Sequence, residues 1–299
     1  MAAALAMAAG LTVAGTFLLS HHPWTTAVSR SPGPDASGGG AARGGGSLPG
    51  AVTPGSPGPA ASGTWHLAFA EDFPGATLDP SRWVTCYDWN QSGCTNATNH
   101  ELQWYAPEQV SVAHGTATLT AQRIPTRGNT GRIYSWTSGM LSTGRPSWTG
   151  RPRFTFTYGY LEARIKMPSA KGMFPAFWLL SADKTGAPEV DVVEMIGNDD
   201  SPFMNLHWTT ASGIKAQAPK TFTSSGFSTG YHDFAVDWEP GVITWYIDGA
   251  QRYTISNSQM VPAVPMEIIF TLAVGFPDPP PASVSTGSMS IQRVRLWQH

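Results

Sequence analysis

The sequence predicts an all-β fold, in which two antiparallel sheets pack as a sandwich, for the part of the chain that begins near Thr64. Short runs of alternating apolar and polar residues recur from there onward, separated by turn-forming residues at intervals typical of sandwiches. Pro240–Gly241 and Asp248–Gly249 mark two successive hairpin turns. The chain has no convincing amphipathic helix longer than about three turns. We predict strands within HLAFAEDF (66–73), GTATLTAQR (115–123), GYLEARIKM (159–167), DFAVDWEPGVITWYIDGAQRYTI (233–255) and MSIQRVRLW (289–297).

The N-terminal segments differ in composition from the rest. Residues 2–20 are uncharged and long enough to span a membrane as a helix, which predicts a secretory signal or an N-terminal membrane anchor over 1–28. A buried core helix is the alternative. Residues 29–63 are rich in Gly, Pro, Ser and Ala, which predicts a disordered linker. We therefore expect a folded domain over 64–299, located outside the cell and either secreted or tethered to the outer face of the membrane.

The composition argues against nucleic acid as a partner. Charged residues make up 13% of the chain and the net charge is −2, so there is no basic footprint for phosphates. The chain contains 12 Trp, 13 Phe and 8 Tyr. Part of this aromatic content belongs to a core, but aromatic planes also suit a carbohydrate groove, because sugar rings present flat C–H faces.

Two cysteines, Cys86 and Cys94, stand in the loop-like stretch CYDWNQSGC. In an exported protein such a close pair predicts a disulfide, whereas two free thiols would suit a cytosolic protein. A zinc site is not expected, because the chain has no second pair of cysteines.

Three carboxylates interrupt the apolar run PEVDVVEMIG (188–197). Glu189 and Asp191 are two residues apart and would face the same side of a strand. Glu194 would face the other side unless a β-bulge near Val192–Val193 resets the alternation. We predict such a bulged strand, with all three acids on one face. A helix is the alternative, and the β-branched residues of the run favour the strand.

Three acids on one face favour an open groove, because burying unpaired carboxylates costs several kcal/mol. Glycoside hydrolysis needs two such groups, an ionised nucleophile and a protonated acid, and repulsion between them raises one pKa. Two alternatives stay open from these residues alone. One is a calcium site, although calcium loops usually carry Gly and Asn among the acids. The other is a charged surface strand.

The motif EVDVVE (189–194) resembles the E-x-D-x-x-E active-site strand of glycoside hydrolase family 16, in its β-bulged, laminarinase-like branch. The resemblance runs from about Trp65 to Trp297. It implies a β-jelly roll of two curved antiparallel sheets with a substrate groove on the concave face, and chemistry that uses no cofactor. The other matching segments, in the family's order, are NHELQWYAPEQVSV (99–112), TSGMLST (137–143), YGYLEARIKMPSAKGMFPAFWLL (158–180), LHW (206–208) and DFAVDWEPGVITWYIDG (233–249).

The resemblance also implies roles at the matching positions. Glu189 would be the nucleophile and Glu194 the general acid/base. Asp191 would lie between them and hold the pair. His207 would flank the acid/base.

Aromatic side chains are expected to face the groove. Trp178 would be a sugar platform beside Phe174, which stands where laminarinases commonly carry a tryptophan. Trp104 and Tyr105 alternate on one strand, and we expect Trp104 to face the groove. Gln292 stands where relatives often carry an aspartate that binds a structural calcium, so we expect no metal ion.

The predicted function is that of a retaining endo-acting β-glycanase that cleaves β-1,3-glucan, acting as a monomer on polysaccharide. Alternatives of the same chemical class are a cell-wall transglycosylase, a mixed-linkage β-1,3-1,4-glucanase and a β-galactanase. A non-catalytic glycan-binding jelly roll belongs to another class. The presence of both Glu189 and Glu194 argues against it, because a lectin has no use for the pair.

Overall fold

The computed structural model describes residues 63–87, 93–96, 99–184, 187–196 and 201–299. The predicted signal or anchor over 1–28 lies outside these residues, as does nearly all of the linker. Within the described ranges, no helix has the length and apolar character needed to span a membrane.

The described residues are organised mainly as strands joined by turns, with a 3-10 turn at Pro107–Gln109. The strands are β1 (His66–Glu71), β2 (Gln103–Tyr105), β3 (Val110–Ala113), β4 (Thr116–Gln122), β5 (Thr126–Arg127), β6 (Ile133–Tyr134), β7 (Trp136–Ser138), β8 (Met140–Ser142), β9 (Gly159–Lys166), β10 (Met173–Ser181), β11 (Glu189–Met195), β12 (Pro202–Thr209), β13 (Lys215–Gln217), β14 (Lys220–Thr221), β15 (His232–Glu239), β16 (Val242–Ile247), β17 (Ala250–Ser256), β18 (Met266–Val274) and β19 (Thr286–Gln298). All five segments predicted as strands contain strands.

Two large sheets form the sandwich. The ten-stranded sheet has the order β17-β16-β15-β9-β19-β4-β7-β2, with β1 paired to β19 and β3 to β4. The seven-stranded sheet has the order β13-β12-β11-β10-β18-β8, with β14 paired to β12. The pairings are antiparallel except that of β2 with β7, which is parallel. The prediction of an all-β sandwich is confirmed, with this one parallel pair as the exception to an antiparallel arrangement.

The hairpin signals of the sequence are confirmed. Gly241 has φ 78° at the turn between β15 and β16, and Asp248 and Gly249 have φ 51° and 73° between β16 and β17. Positive φ at both central residues is typical of the type I′ turn, whose twist matches that of paired strands. The Asp-Gly pair therefore sets the register of β16 and β17 next to the turn, before the register shifts between Trp245 and Tyr246.

Apolar side chains lie on both faces of the seven-stranded sheet. On the inner face, alternate residues such as Phe177, Leu179 and Phe270 pack against the ten-stranded sheet in the main core. On the outer face a second, smaller cluster forms, which we call the cleft-face cluster. It consists of Tyr87, Tyr105, Met140, Ala176, Trp178, Leu180 and Ile269.

Candidate active site

The predicted bulge is present in β11. Toward β10, Phe177 pairs with Val193 and Trp178 pairs with Asp191, which leaves Val192 without a partner in the ladder. The pairing with β12 shifts at the same place. Val192 and Val193 are both buried in the main core. Because two consecutive residues fill the core, the alternation of faces resumes one residue late.

The bulge brings all three acids to the outer face of the seven-stranded sheet. Glu189, Asp191 and Glu194 follow one another along β11, with Asp191 in the middle and 1% exposed. Their partners across the ladder in β10 all belong to the cleft-face cluster, and are Leu180, Trp178 and Ala176, respectively. The prediction that the acids share one face is therefore confirmed.

His207 lies at the Glu189 end of this row. It pairs with Glu189 across the ladder, and its Nε2 is 3.9 Å from Glu189 Oε1 and 3.1 Å from Asp191 Oδ2. Phe203 is the residue opposite Glu194. The expectation that His207 flanks Glu194 is therefore wrong. Four residues of an extended strand, roughly 13 Å, separate the backbone positions of Phe203 and His207.

The surroundings of His207 favour its protonated form. Burial alone would lower the pKa of this imidazole, but the hydrogen bond to Asp191 and the charge of Glu189 outweigh burial and raise the pKa to about 9. A positive charge therefore stands beside Glu189 and Asp191 at neutral pH.

The two glutamates differ in their electrostatic surroundings. Burial, followed by the charge of Asp191, raises the pKa of both carboxyl groups. The positive charge of His207 opposes this shift at Glu189. The further neighbours of Glu194 are Glu189 and Glu101, whose negative charges raise its pKa more. A proton is therefore held by Glu194 in preference to Glu189, which is the division that an acid and a nucleophile require.

Asp191 lies between the two glutamates on β11 and contacts His207. Its Oδ2 accepts a hydrogen bond from His207. Its Oδ1 is buried and meets no hydrogen-bond donor within the described ranges. Of the two glutamates, Glu189 is the one with a side-chain hydrogen bond to Asp191, and this contact raises the pKa of Glu189. A role for Asp191 in holding the pair stays a prediction.

Trp178 and Phe174 line a cleft together with the two glutamates. Trp178 is 9% exposed and its Nε1 donates to Thr271 Oγ1 over 3.3 Å, which fixes the plane of the indole. Phe174 packs against Phe276, with the ring centroids 5.2 Å apart. Both side chains are thus beside the acids, and their contact with a sugar stays a prediction.

Trp104 does not line this cleft. Its neighbour Tyr105 is 1% exposed and packs against Tyr87 within the cleft-face cluster. Trp104 points away from that cluster, onto Tyr134 at 5.3 Å between ring centroids and beside Gly93. Strand alternation puts the two rings on opposite sides, but only the pairing of β2 in the ten-stranded sheet decides which ring faces the acids. A substrate contact for Trp104 stays a prediction.

Glu101 is a fourth carboxyl group of the cleft, and the sequence analysis did not single it out. Its Oε1 accepts from Asn99 Nδ2 over 3.1 Å and its Oε2 from Gln103 Nε2 over 2.6 Å. Burial raises the pKa of Glu101 to about 7 despite these hydrogen bonds. The sequence NHELQW (99–104) contains a signal for this, because Asn99, Glu101 and Gln103 occupy every second position and would share one face of a strand.

A disulfide joins Cys86 to Cys94, as predicted, with their Cα atoms 4.8 Å apart. Tyr87 and Asn96, which are close to the two cysteines in sequence, line the cleft. The disulfide therefore restrains the segment of chain that supplies these two cleft residues.

A buried ion pair holds the loop that leads into β11. Lys184, in that loop, contacts Glu267 of β18, and the two side chains are 2% and 1% exposed. Glu267 is also paired across the ladder with Leu180, at the end of β10. The loop before Glu189 is thus tied to the sheet that carries the acids.

Three side chains of the site could in principle hold a metal ion. Glu189, Asp191 and His207 each place one ligand atom within 4.8 Å of the others. A metal would require neutral His207, because an imidazolium has no free electron pair. The raised pKa of His207 opposes that state. The donor set therefore suits a hydrogen-bonded acid cluster better than a metal centre.

Comparison with known proteins gives a consistent result. The sequence profile of the family described as Glycosyl hydrolases family 16 matches residues 96–292. The Rhizobium meliloti protein "Endo-1,3-1,4-beta-glycanase EglC" is 33% identical over 77% of this chain and 51% of its own length. "Glucan endo-1,3-beta-glucosidase A1" of Niallia circulans is 28% identical over 78% of this chain and 38% of its own. The chain thus spans half or less of the length of these two relatives.

Solved structures agree with the sequence relatives. The endo-beta-1,3-glucanase structure from Pyrococcus furiosus superposes with a TM-score of 0.67 and is 26% identical. The superposition covers 78% of this chain and 94% of that one.

Proposed function

The chain belongs to glycosyl hydrolases family 16, and from that premise we propose that it is a retaining, endo-acting β-glycanase whose main substrate is β-1,3-glucan. The observation that carries the proposal is the bulge of β11, because it places two glutamates on one face of the cleft with a cation beside only one of them. A surface strand with three charges would have no need of that asymmetry.

The first step of the proposed reaction forms a covalent intermediate. Glu194 gives its proton to the glycosidic oxygen, while the carboxylate of Glu189 attacks the anomeric carbon from the opposite side. The bond between that carbon and the leaving oxygen breaks, and an ester to Glu189 forms. The imidazolium of His207 favours the ionised form of the nucleophile, and Asp191 holds that imidazolium through its hydrogen bond until Glu189 reacts.

The second step releases the sugar. Glu194, now ionised, removes a proton from water, and the water oxygen attacks the anomeric carbon and displaces the carboxylate of Glu189. Two inversions give net retention. If a sugar hydroxyl takes the place of water, the same step becomes transglycosylation, which is the alternative reaction.

The choice of glucan rests on the relatives. The names of the Niallia circulans and Pyrococcus furiosus proteins specify β-1,3 linkages, whereas that of the Rhizobium meliloti protein specifies both 1,3 and 1,4. A mixed-linkage β-glucanase is therefore the second candidate.

The polysaccharide would lie along the cleft, over Trp178 and Phe174, with no nucleic acid, cofactor or metal involved. We further propose that the domain acts as a monomer outside the cell, either secreted or tethered through residues 2–20.

A panel of polysaccharides tests the proposal. We expect laminarin to be cut internally, with β-anomers appearing first by proton NMR, while lichenan, cellulose and galactan serve as the linkage controls. Cleavage of lichenan alone would favour the mixed-linkage enzyme, and α-anomers as first products would contradict retention. No cleavage of any member of the panel would overturn the hydrolytic function.

A further inference from the structure

Trp245 reaches the bulge from the opposite sheet. It lies on β16 of the ten-stranded sheet and is 0% exposed. Its indole Nε1 donates to the backbone carbonyl oxygen of Asp191 over 2.8 Å. The indole also stacks on Tyr253, with the ring centroids 5.1 Å apart, which fixes its plane.

The acceptor is the carbonyl at which both ladders of β11 lose their register. Pairing with β10 and pairing with β12 shift immediately after Asp191. A bulge disrupts ladder hydrogen bonds, and a buried carbonyl without a partner is costly. The indole supplies a donor at that point, through the core rather than along the sheet.

Glu189 and Glu194 depend on this carbonyl to different degrees. Both glutamates are paired on each side, Glu189 with Leu180 and His207 before the bulge, and Glu194 with Ala176 and Phe203 after it. Glu194 follows the bulge, so its position depends on the path that the backbone takes past Asp191. Without the bulge, Glu194 would face the core.

We propose that Trp245 is a positioning residue for the general acid/base, holding the bulge of β11 in the conformation that presents Glu194 to the cleft. The inference rests on the proposed function above. Trp245 touches no substrate in this scheme. It acts only through the Asp191 carbonyl, and it links the core of the ten-stranded sheet to the chemistry on the outer face of the other sheet.

Trp238 provides a matched control. It lies on β15, next to β16, is also 0% exposed, and also donates its Nε1 to a backbone carbonyl, that of Pro262, over 2.9 Å. Pro262 is remote from β11 in the chain and lies in no strand. Replacement of either tryptophan by phenylalanine removes the same donor and a similar volume, but only one of the two donors serves the bulge.

The experiment compares Trp245→Phe with Trp238→Phe on two aryl β-glycosides of laminaribiose. The phenyl glycoside has a poor leaving group, whose oxygen must be protonated by the general acid. The dinitrophenolate of the dinitrophenyl glycoside is stable as an anion and leaves without protonation. For Trp245→Phe we expect kcat/KM to fall about 10- to 100-fold on the phenyl substrate and less than about threefold on the dinitrophenyl substrate. Trp238→Phe should change the two values by a common factor.

Two outcomes would overturn the inference: equal losses on both substrates for Trp245→Phe, or the same leaving-group dependence for Trp238→Phe. If Trp245→Phe does not fold, 3-benzothienylalanine at position 245 keeps the bicyclic ring, lacks the N–H, and must show the same dependence. A wild-type chain that cleaves no glucan would instead refute the proposed function. The two variants would then be compared on aryl glycosides of the glycan that the wild type does cleave.

Discussion

At the scale of single residues, two chemically identical side chains receive different tasks from their neighbours. Glu189 shares its end of β11 with the cation of His207. All the neighbouring charges that raise the pKa of Glu194 are negative. The difference arises from His207 on the adjacent strand, which lowers the pKa of Glu189, and from Glu101, which raises that of Glu194.

Substitution of the two glutamates is expected to separate their roles. Glu194→Ala should lower kcat on glucan by about 10²–10⁴-fold, because the leaving oxygen loses its proton donor. Azide, which fits the space left by the side chain and needs no general base, should restore turnover of a dinitrophenyl glycoside and yield a β-glycosyl azide. Glu189→Gln should lower kcat on glucan by about 10⁴-fold or more, since no covalent intermediate forms. The exposed Glu108 provides the control: Glu108→Gln should behave like the wild type.

His207 is expected to set the acid limb of the pH profile. Its positive charge lowers the pKa of Glu189 relative to the same site without it. His207→Gln should therefore raise that pKa, so that Glu189 becomes protonated at higher pH and the acid limb of kcat/KM moves upward. His232→Gln is the control, because His232 also pairs with an aspartate but lies on β15 of the ten-stranded sheet, away from the acids. An acid limb that stays in place, or moves to lower pH, would contradict the assignment.

At the scale of the elements, the sequence specified the acid strand better than its surroundings. The spacing of the three acids and the two adjacent valines predicted the bulge, because only an extra residue puts acids at 191 and 194 on one face while Val192 and Val193 share the other. The choice between Trp104 and Tyr105 was missed. Alternation within β2 says that the two differ, but not which sheet β2 joins or from which side the cleft is approached.

The disulfide is expected to matter more for binding than for chemistry. The Cys86→Ser/Cys94→Ser double variant should lower the free energy of unfolding by about 2–3 kcal/mol, because a short loop is released in the unfolded chain. KM should rise more than kcat falls, since Tyr87 and Asn96 line the cleft whereas the acids lie on β11. Denaturant titration and steady-state kinetics on laminarin would measure the two effects. An unchanged KM would show that the loop does not contact substrate.

At the scale of the whole molecule, strand existence and turn positions followed from local pattern, but strand order did not. β19, the last strand, lies between β9 and β4 in the ten-stranded sheet, and β8 pairs with β18. Such pairings join residues far apart in sequence, and neither propensity nor periodicity encodes them. The buried pair of Lys184 and Glu267 escaped prediction for the same reason, because its members meet only after β10 and β18 have paired.

The boundary of the folded domain yields a prediction for the whole molecule. A chain that starts at Thr64 should keep the kcat on laminarin and a melting temperature within about 2 °C of the full chain, because the first strand, β1, begins at His66.

A chain that starts at Phe73 is the control. It loses β1 and with it Glu71, whose carboxylate accepts hydrogen bonds from Trp83 Nε1 at 3.0 Å and from the Phe73 amide at 2.7 Å. Leaving the buried indole N–H unpaired and the edge of β19 uncovered should lower the melting temperature by about 10 °C. Differential scanning calorimetry of the three chains measures this, and a destabilised Thr64 chain would place part of the fold within residues 1–63.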